Sequence, residues 1–233
     1  MKKVYSDKRF IVKFFLFWYW KLKDIKHNIK HGRKFNEYGM TMYTGRQGAG
    51  KTIAMVEYLE RMRIKYPDAI IVTNFGYKNE DRAMESWEDF LKIRNGDKGV
   101  IFAVDEIQNE FSNEKWKTFP EWLLREVTQQ RKQKIKIVAT SQVFTRVVKQ
   151  LREQCFEVVE CRTIAGRWTW TRAFDAEDYN FVIDNPEKKM KLKRVYRRNF
   201  IQDNKLRDLY NSYDKIEKLK DVKFIDKTVD LRG

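Results

Sequence analysis

Eight consecutive residues, Gly45-Arg46-Gln47-Gly48-Ala49-Gly50-Lys51-Thr52, set glycines, a lysine and a hydroxyl at the spacing GxxxxGK[ST]. That set is suited to holding phosphate. Glycines let the backbone curl until its N–H groups point at one anion, and a helix starting at the end of the loop adds its positive N-terminus. Lys51 would reach the β- and γ-phosphates of ATP, and the Thr52 hydroxyl would ligate Mg²⁺.

Two carboxylates supply the chemistry such a loop lacks. Val100-Ile101-Phe102-Ala103-Val104 is an apolar run ending in Asp105-Glu106, which puts both acids at the C-terminal end of a buried strand, where open α/β sheets bind ligands. This is a Walker B pattern to the Walker A pattern of the loop. Asp105 would hold the metal through its water shell and Glu106 would polarise the attacking water. A third apolar run ends in Ala139-Thr140-Ser141-Gln142, and an amide at Gln142 could sense the γ-phosphate, donating to it while accepting from water. An arginine supplied by a neighbouring copy would stabilise transition-state charge; Arg125, Arg131 and Arg152 are the candidates.

These residues need strands that end together. Gly39 to Thr44 reads as a short strand, Ile53 to Lys65 as a helix with apolar residues at helical spacing, and Pro67 as its stop. Ala69 to Phe75, Val100 to Val104 and Ile135 to Ala139 are β-branched apolar runs that predict buried strands. Helical stretches are expected over Ser86 to Arg94, Pro120 to Gln133 and Thr145 to Gln154. Strand and helix therefore alternate, as in a parallel sheet covered on both faces. Phe156 to Thr163 and Arg167 to Phe174 read as a hairpin turning through Ala165-Gly166. The period of two places Trp168 and Trp170 on one face, with the core as the expected side and a base-stacking platform as the alternative.

The chain has 233 residues, 49 Lys plus Arg against 33 Asp plus Glu, and a net charge of +16. Such an excess suits a polyanion: DNA, RNA or an anionic membrane surface. Cys155 and Cys161 form no CxxC, and two histidines complete the set, so no zinc framework or disulfide scaffold is encoded. Residues 1–38 form a basic, aromatic extension, 39–180 the nucleotide-binding core, and 181–233 a basic tail with a charged helix expected from about Asn204 to Lys220. No signal-peptide cleavage site follows the Lys-rich start. Phe10 to Trp20 is too short to span a bilayer; it could pack on the core or another subunit, lie in a membrane interface, or stack on nucleic acid. The cluster Lys188, Lys189, Lys191, Lys193, Arg194, Arg197 and Arg198 could hold phosphates without reading sequence, or form a solvated face.

The ordered set of the Walker A loop, Val72-Thr73-Asn74-Phe75, Val104-Asp105-Glu106, Gln129-Gln130-Arg131-Lys132 and Ala139-Thr140-Ser141-Gln142 resembles the zonular-occludens-toxin-like phage ATPases of the FtsK–HerA group. The resemblance covers roughly residues 39–180. It implies an α/β fold with a RecA-like P-loop NTPase core, a mostly parallel central sheet and helices on both faces, followed here by a C-terminal β-hairpin and a basic helical tail. It assigns Lys51, Thr52, Asp105, Glu106 and Gln142 the Walker A, Walker B and sensor roles, with ATP and Mg²⁺ as cofactors. Members act in filamentous-phage morphogenesis or package the genomes of membrane-containing phages, often as hexameric rings. Filamentous-phage members carry a transmembrane segment after the ATPase domain, and the charged tail here offers none, which favours the packaging ATPases.

The expectation is an ATP-driven, ring-forming translocase of double-stranded DNA that ignores base sequence. It would work in the host cytoplasm, at a membrane or at a virion packaging vertex, with residues 10–20 free to contact lipid or a vertex protein. A membrane-associated assembly or extrusion ATPase, and a nucleotide-binding scaffold at a vertex, are the alternatives.

Overall fold

A computed structural model describes residues 9–31, 34–110, 130–187 and 192–210, divided into two compact units, 1–35 and 36–233. The first unit is one helix, α1 (Phe10–His31). It holds no Gly or Pro, and rings one turn apart meet edge to face, Phe14 and Trp18 at 6.3 Å. The apolar run Phe10 to Trp20 is thus the first half of a 22-residue helix whose second half carries Lys21, Lys23 and Lys26. Among the described residues no helix is long and apolar enough to cross a membrane.

The second unit is built on an eight-stranded sheet, ordered β3-β2-β4-β5-β1-β6-β7-β8. Its strands are β1 (Gly39–Thr44), β2 (Ile70–Thr73), β3 (Arg82–Ala83), β4 (Val100–Val104), β5 (Ile135–Ser141), β6 (Cys155–Ile164), β7 (Trp168–Asp175) and β8 (Arg194–Ile201). The strands from β3 to β6 pair in parallel. Every residue of β1, β4 and β5 is buried, as near-continuous apolar strands require when both faces are covered.

Helix α2 (Lys51–Lys65) covers one face with Ile53, Val56, Leu59 and Met62. The other face carries the largest core cluster, with Met40, Met42, Phe102, Val104, Ile137 and Val158. Helix α3 (Ala176–Asp184), capped by the Asp175 carboxylate, belongs to that second face. Glu160 of β6 meets Tyr179 of α3, whereas Thr163, an odd number of residues on, meets the α2 side through Ala49. Helices therefore lie on both faces.

Four expectations change. The helix foreseen over Ser86 to Arg94 is confined to Asp89–Lys92, because the Asp89 carboxylate accepts from the N–H groups of Glu85 and Ser86 and closes a turn first. The one over Thr145 to Gln154 splits into a 3₁₀ turn at Phe144–Arg146 and a helical turn at Lys149–Arg152. Between them the buried, β-branched Val147 and Val148 are extended. Of Pro120 to Gln133 the described residues show a helix at Gln130–Gln133, the rest lying outside them.

The hairpin through Ala165-Gly166 is present, with β6 and β7 antiparallel, but its faces are reversed. Thr169 and Thr171 are buried while Trp168 is 42% exposed and Trp170 half-buried. A row of inward polar groups, set out below, needs the threonines inside.

Nor is the chain beyond residue 180 a detached tail. That boundary falls inside α3, and Arg194–Ile201 pairs antiparallel with β7 as the sheet's last strand. Residues 202–210 then run past α2, through the helical turn Asn204–Arg207, to a bridge between Tyr77 and Tyr210. The Lys78 N–H donates to the Leu209 carbonyl there at 2.8 Å. The helix foreseen from Asn204 to Lys220 is a single turn that ends at Arg207; its part after Tyr210 lies outside the described residues, as do Lys188, Lys189 and Lys191.

Candidate functional site: a phosphate loop facing two carboxylates

Gly45 to Gly50 form the turn between β1 and α2, and glycine is required where the loop closes. Gly50 has φ +85°, and a Cβ there would stand 2.4 Å from the Thr163 hydroxyl oxygen. Both its conformation and the space around it exclude a side chain. The Thr163 hydroxyl donates to the Ala49 carbonyl at 3.0 Å and lies 2.9 Å from that of Thr169. The buried Gln202 amide donates to Thr169 at 2.7 Å, and Arg207 donates to the Gln202 side-chain oxygen at 2.9 Å. The rear of the loop is thus tied, group by group, to the chain after β8.

In front of the loop stand the acids. Lys51, buried, points its ammonium at the Arg46 carbonyl (3.3 Å) and the Glu106 carboxylate (4.0 Å). Thr52 donates to the Asp105 carboxylate at 2.9 Å, as does Thr140 at 2.7 Å. The backbone at Asp105 is clamped by Asn74: the Asp105 N–H donates to the Asn74 side-chain oxygen at 2.7 Å, and the Asn74 amide donates back to the Asp105 carbonyl at 3.2 Å. Glu106 takes φ +55°, a conformation that costs a non-glycine residue about 1 kcal/mol or more. It is held there by its N–H donating to Thr140 at 2.9 Å, with Gln108 donating to its carboxylate. The two neighbouring carboxylates meet different partners, Asp105 the Thr52 hydroxyl and Glu106 the Lys51 ammonium.

The structure therefore brings together Lys51, Thr52, Asp105 and Glu106, which lie up to 55 residues apart in sequence. Among the described residues no cluster of three His, Cys, Asp or Glu could hold a metal. A hydroxyl and one carboxylate side by side suit instead a hard cation that takes its other ligands from phosphate and water.

Gln142 follows β5 and is half-buried. It shares with Gly45 to Ala49 the wall of a cavity of about 1000 Å³, lined also by Arg162, Trp170 and Tyr179. Of the arginine candidates, Arg125 lies outside the described residues. Arg152 donates to Asn180 at 3.2 Å and sits 5.8 Å from the Phe144 ring. Arg131 is exposed, 5.5 Å from the Tyr38 ring. Neither of these two lines the cavity of the phosphate loop.

Cys161 backs the loop, its carbonyl 2.9 Å from where a Gly45 Cβ would be, and burial pushes its thiol up to about 12. Cys155 is pushed up to about 12 for the same reason. Both are free and buried, so they act as small apolar side chains.

Sequence reasoning missed Asn74, Thr140, Gln108 and the Thr163–Thr169–Gln202 row as working parts. Asn74 directly follows β2 and Thr140 stands near the end of β5, and a polar residue at the end of an apolar run was the available signal. Nothing local marks Gln202, whose threonine partners are 33 or more residues away.

The model of the family described as zonular occludens toxin (Zot) matches residues 39–213. No curated protein matches the chain. Among solved structures, the N-terminal domain of zonular occludens toxin from Neisseria meningitidis is similar with a TM-score of 0.54 at 19% identity, covering 75% of this chain and 100% of that one. The genome packaging NTPase B204 from Sulfolobus turreted icosahedral virus 2, in complex with AMP, gives 0.45 at 13% identity over 72% and 98%. The first likeness bears on the fold, that of a sheet with a phosphate loop after its central strand. The family match spans the loop, both carboxylates, the hairpin and β8, and by it this chain belongs to the zonular occludens toxin family.

Proposed function

We propose that the chain is an Mg²⁺-dependent ATPase that drives DNA through a ring of identical subunits, packaging a viral genome. One observation carries the reading: Lys51 meets Glu106 while Thr52 meets Asp105, so a phosphate-holding lysine and a metal-holding hydroxyl each face a carboxylate. Bound Mg²⁺ would neutralise phosphate charge there. In that arrangement Lys51 would leave Glu106 for the phosphates, freeing Glu106 to orient and polarise water. Gln142, on the wall shared with the loop, would sense the terminal phosphate. The net charge of +16 and the resemblance to FtsK–HerA motors support double-stranded DNA, held by its backbone, as the cargo, and a hexamer in the host cytoplasm or at a packaging vertex as the working form.

The test is steady-state ATP hydrolysis with and without double-stranded DNA across a salt series. Stimulation should fade as salt rises. Lys51→Ala and Glu106→Gln should each cut turnover at least about 100-fold, with Glu106→Gln still binding ATP. Turnover indifferent to DNA would sink the motor. ATP binding with no turnover in an assembled ring would leave a nucleotide-binding scaffold.

A second reading, an assembly or extrusion ATPase at a membrane, is favoured by α1, where Phe10 is 81% exposed and Phe15, Phe17, Trp18 and Trp20 are about half or more. An aromatic helix with lysines beyond it is the composition of an interfacial anchor. On this reading the full chain floats with anionic liposomes and a chain lacking residues 1–33 does not; equal recovery would remove it.

A further inference from the structure

The hairpin that ties down the phosphate loop presents a second chemistry on its outer face. Residues paired across antiparallel strands share a face, so the registers define three rows: Ile164, Trp168, Ile201; Arg162, Trp170, Asn199; Glu160, Arg172, Arg197. Trp168, Ile164, Ile201, Asn199 and the three arginines are exposed. The two indole rings lean together, centroids 5.1 Å apart at 41°, and Trp168 donates to the Asn199 side-chain oxygen at 3.1 Å.

This face carries three arginines against one carboxylate. Arg172 and Arg197 stand directly opposite, an arrangement that destabilises a sheet unless an anion lies between them. Glu160, the one carboxylate of the three rows, is engaged by the Tyr179 hydroxyl at 3.0 Å. Among the described residues Arg162, Arg172 and Arg197 form no ion pair.

We infer that the outer face of β6, β7 and β8 binds single-stranded nucleic acid, with bases stacked on Trp168 and Trp170 and phosphates held by Arg162, Arg172 and Arg197. Alternate residues on a strand are about 6.8 Å apart, so aromatic and cationic positions repeat along one extended chain. A duplex could use the arginines alone, since its base faces are covered; an exposed indole beside a half-buried one, set among the cations, favours unpaired bases. Arg162, Trp170 and Arg172 also line the cavity over the phosphate loop. A strand on this face would reach the cavity beside Gly45 to Ala49, while the inner face of β6 and β7 anchors the loop's rear through Thr163 and Thr169. The inference goes beyond the DNA-motor reading, whose cargo is a duplex, by naming a surface that would grip a strand only where it is unpaired.

Fluorescence anisotropy of a labelled thymidine 20-mer and of a 20-base-pair duplex, without nucleotide, tests it on the full chain. The single strand should bind tighter, and Trp168→Ala and Trp170→Ala should each weaken it about 5- to 100-fold. Trp168→Phe should keep most of the affinity, which guards against loss by misfolding. Arg172→Ala or Arg197→Ala should lower the log–log salt slope by about 0.7, and Lys98→Ala, at an exposed lysine elsewhere, should not.

Single-strand binding that ignores both tryptophans overturns the proposal, as does equal affinity for duplex. Tryptophan variants that change sedimentation but not binding would make the face a subunit contact and also overturn it. Lys51→Ala should leave this binding intact, so an ATPase that fails here still stands as a motor, and a dead ATPase can still pass.

Discussion

At Gly50 two different demands meet in one residue. Its φ of +85° is disfavoured for any side chain, and the space a Cβ would take holds the hydroxyl that secures Ala49. Gly48, at φ +75°, has nothing within 4 Å of such a Cβ. Alanine should therefore cost about 1–2 kcal/mol at Gly48, from backbone strain, and about 1–2 kcal/mol more at Gly50, where the Thr163 bond is lost as well. Urea unfolding of the two variants measures the gap, and binding of a fluorescent ATP analogue should fall further in Gly50→Ala. Equal costs would mean that the contact behind the loop contributes nothing. Walker residues could be read from the sequence because each acts within a few positions of a fixed turn. The strain at Glu106 could not, since it comes from Thr140, a neighbour only after β4 and β5 pair.

Among the elements, the buried parallel strands were legible and the amphipathic ones were not. β4 and β5 read as continuous apolar runs because both their faces are covered, so length and β-branching suffice. β7 alternates, and alternation fixes two faces without saying which is inside. Aromatic size favoured the tryptophans, yet the inner side is set by Thr163, Thr169 and Gln202, a polar row that accepts threonine and would strand an indole. β8 was read as a basic tail for a related reason. Its arginines point to solvent while its backbone pairs with a strand more than 20 residues earlier, and sequence charge reports the first fact alone. One-turn helices replaced longer expected ones wherever a side chain or a β-branched pair diverted the backbone. Lys136 is the other surprise: a lysine inside β5, buried, donates to Thr41 at 2.8 Å and to the Tyr38 carbonyl at 3.2 Å, and burial lowers its pKa.

For the whole molecule, the two buried thiols make stability depend on pH. Both folded values, about 12, lie above the roughly 8.5 of an exposed thiol. Raised values mean that the unfolded chain loses these protons first. The contribution is complete below about pH 8.5 and is lost as pH rises towards 12, by about 1.4 kcal/mol per pH unit for each thiol. Denaturant midpoints should thus fall between pH 9 and 10, and the fall should shrink in the Cys155→Ala, Cys161→Ala double variant measured against itself at pH 7. A thiol reagent at pH 8 should find both cysteines only after unfolding.

The sheet's two borders bear on how copies can meet. β3 is two residues long, too short to template a neighbour, and β8 carries Arg194, Arg197 and Arg198 along its length. Laid edge to edge, two copies of β8 would bring arginines against arginines, an electrostatic veto on continuing the sheet from one subunit into the next. In the proposed ring, where unlike surfaces meet, subunits would then join through helices and loops. Joints of that kind can slide or rock as nucleotide turns over, where a ladder of backbone hydrogen bonds would lock the subunits at a fixed angle.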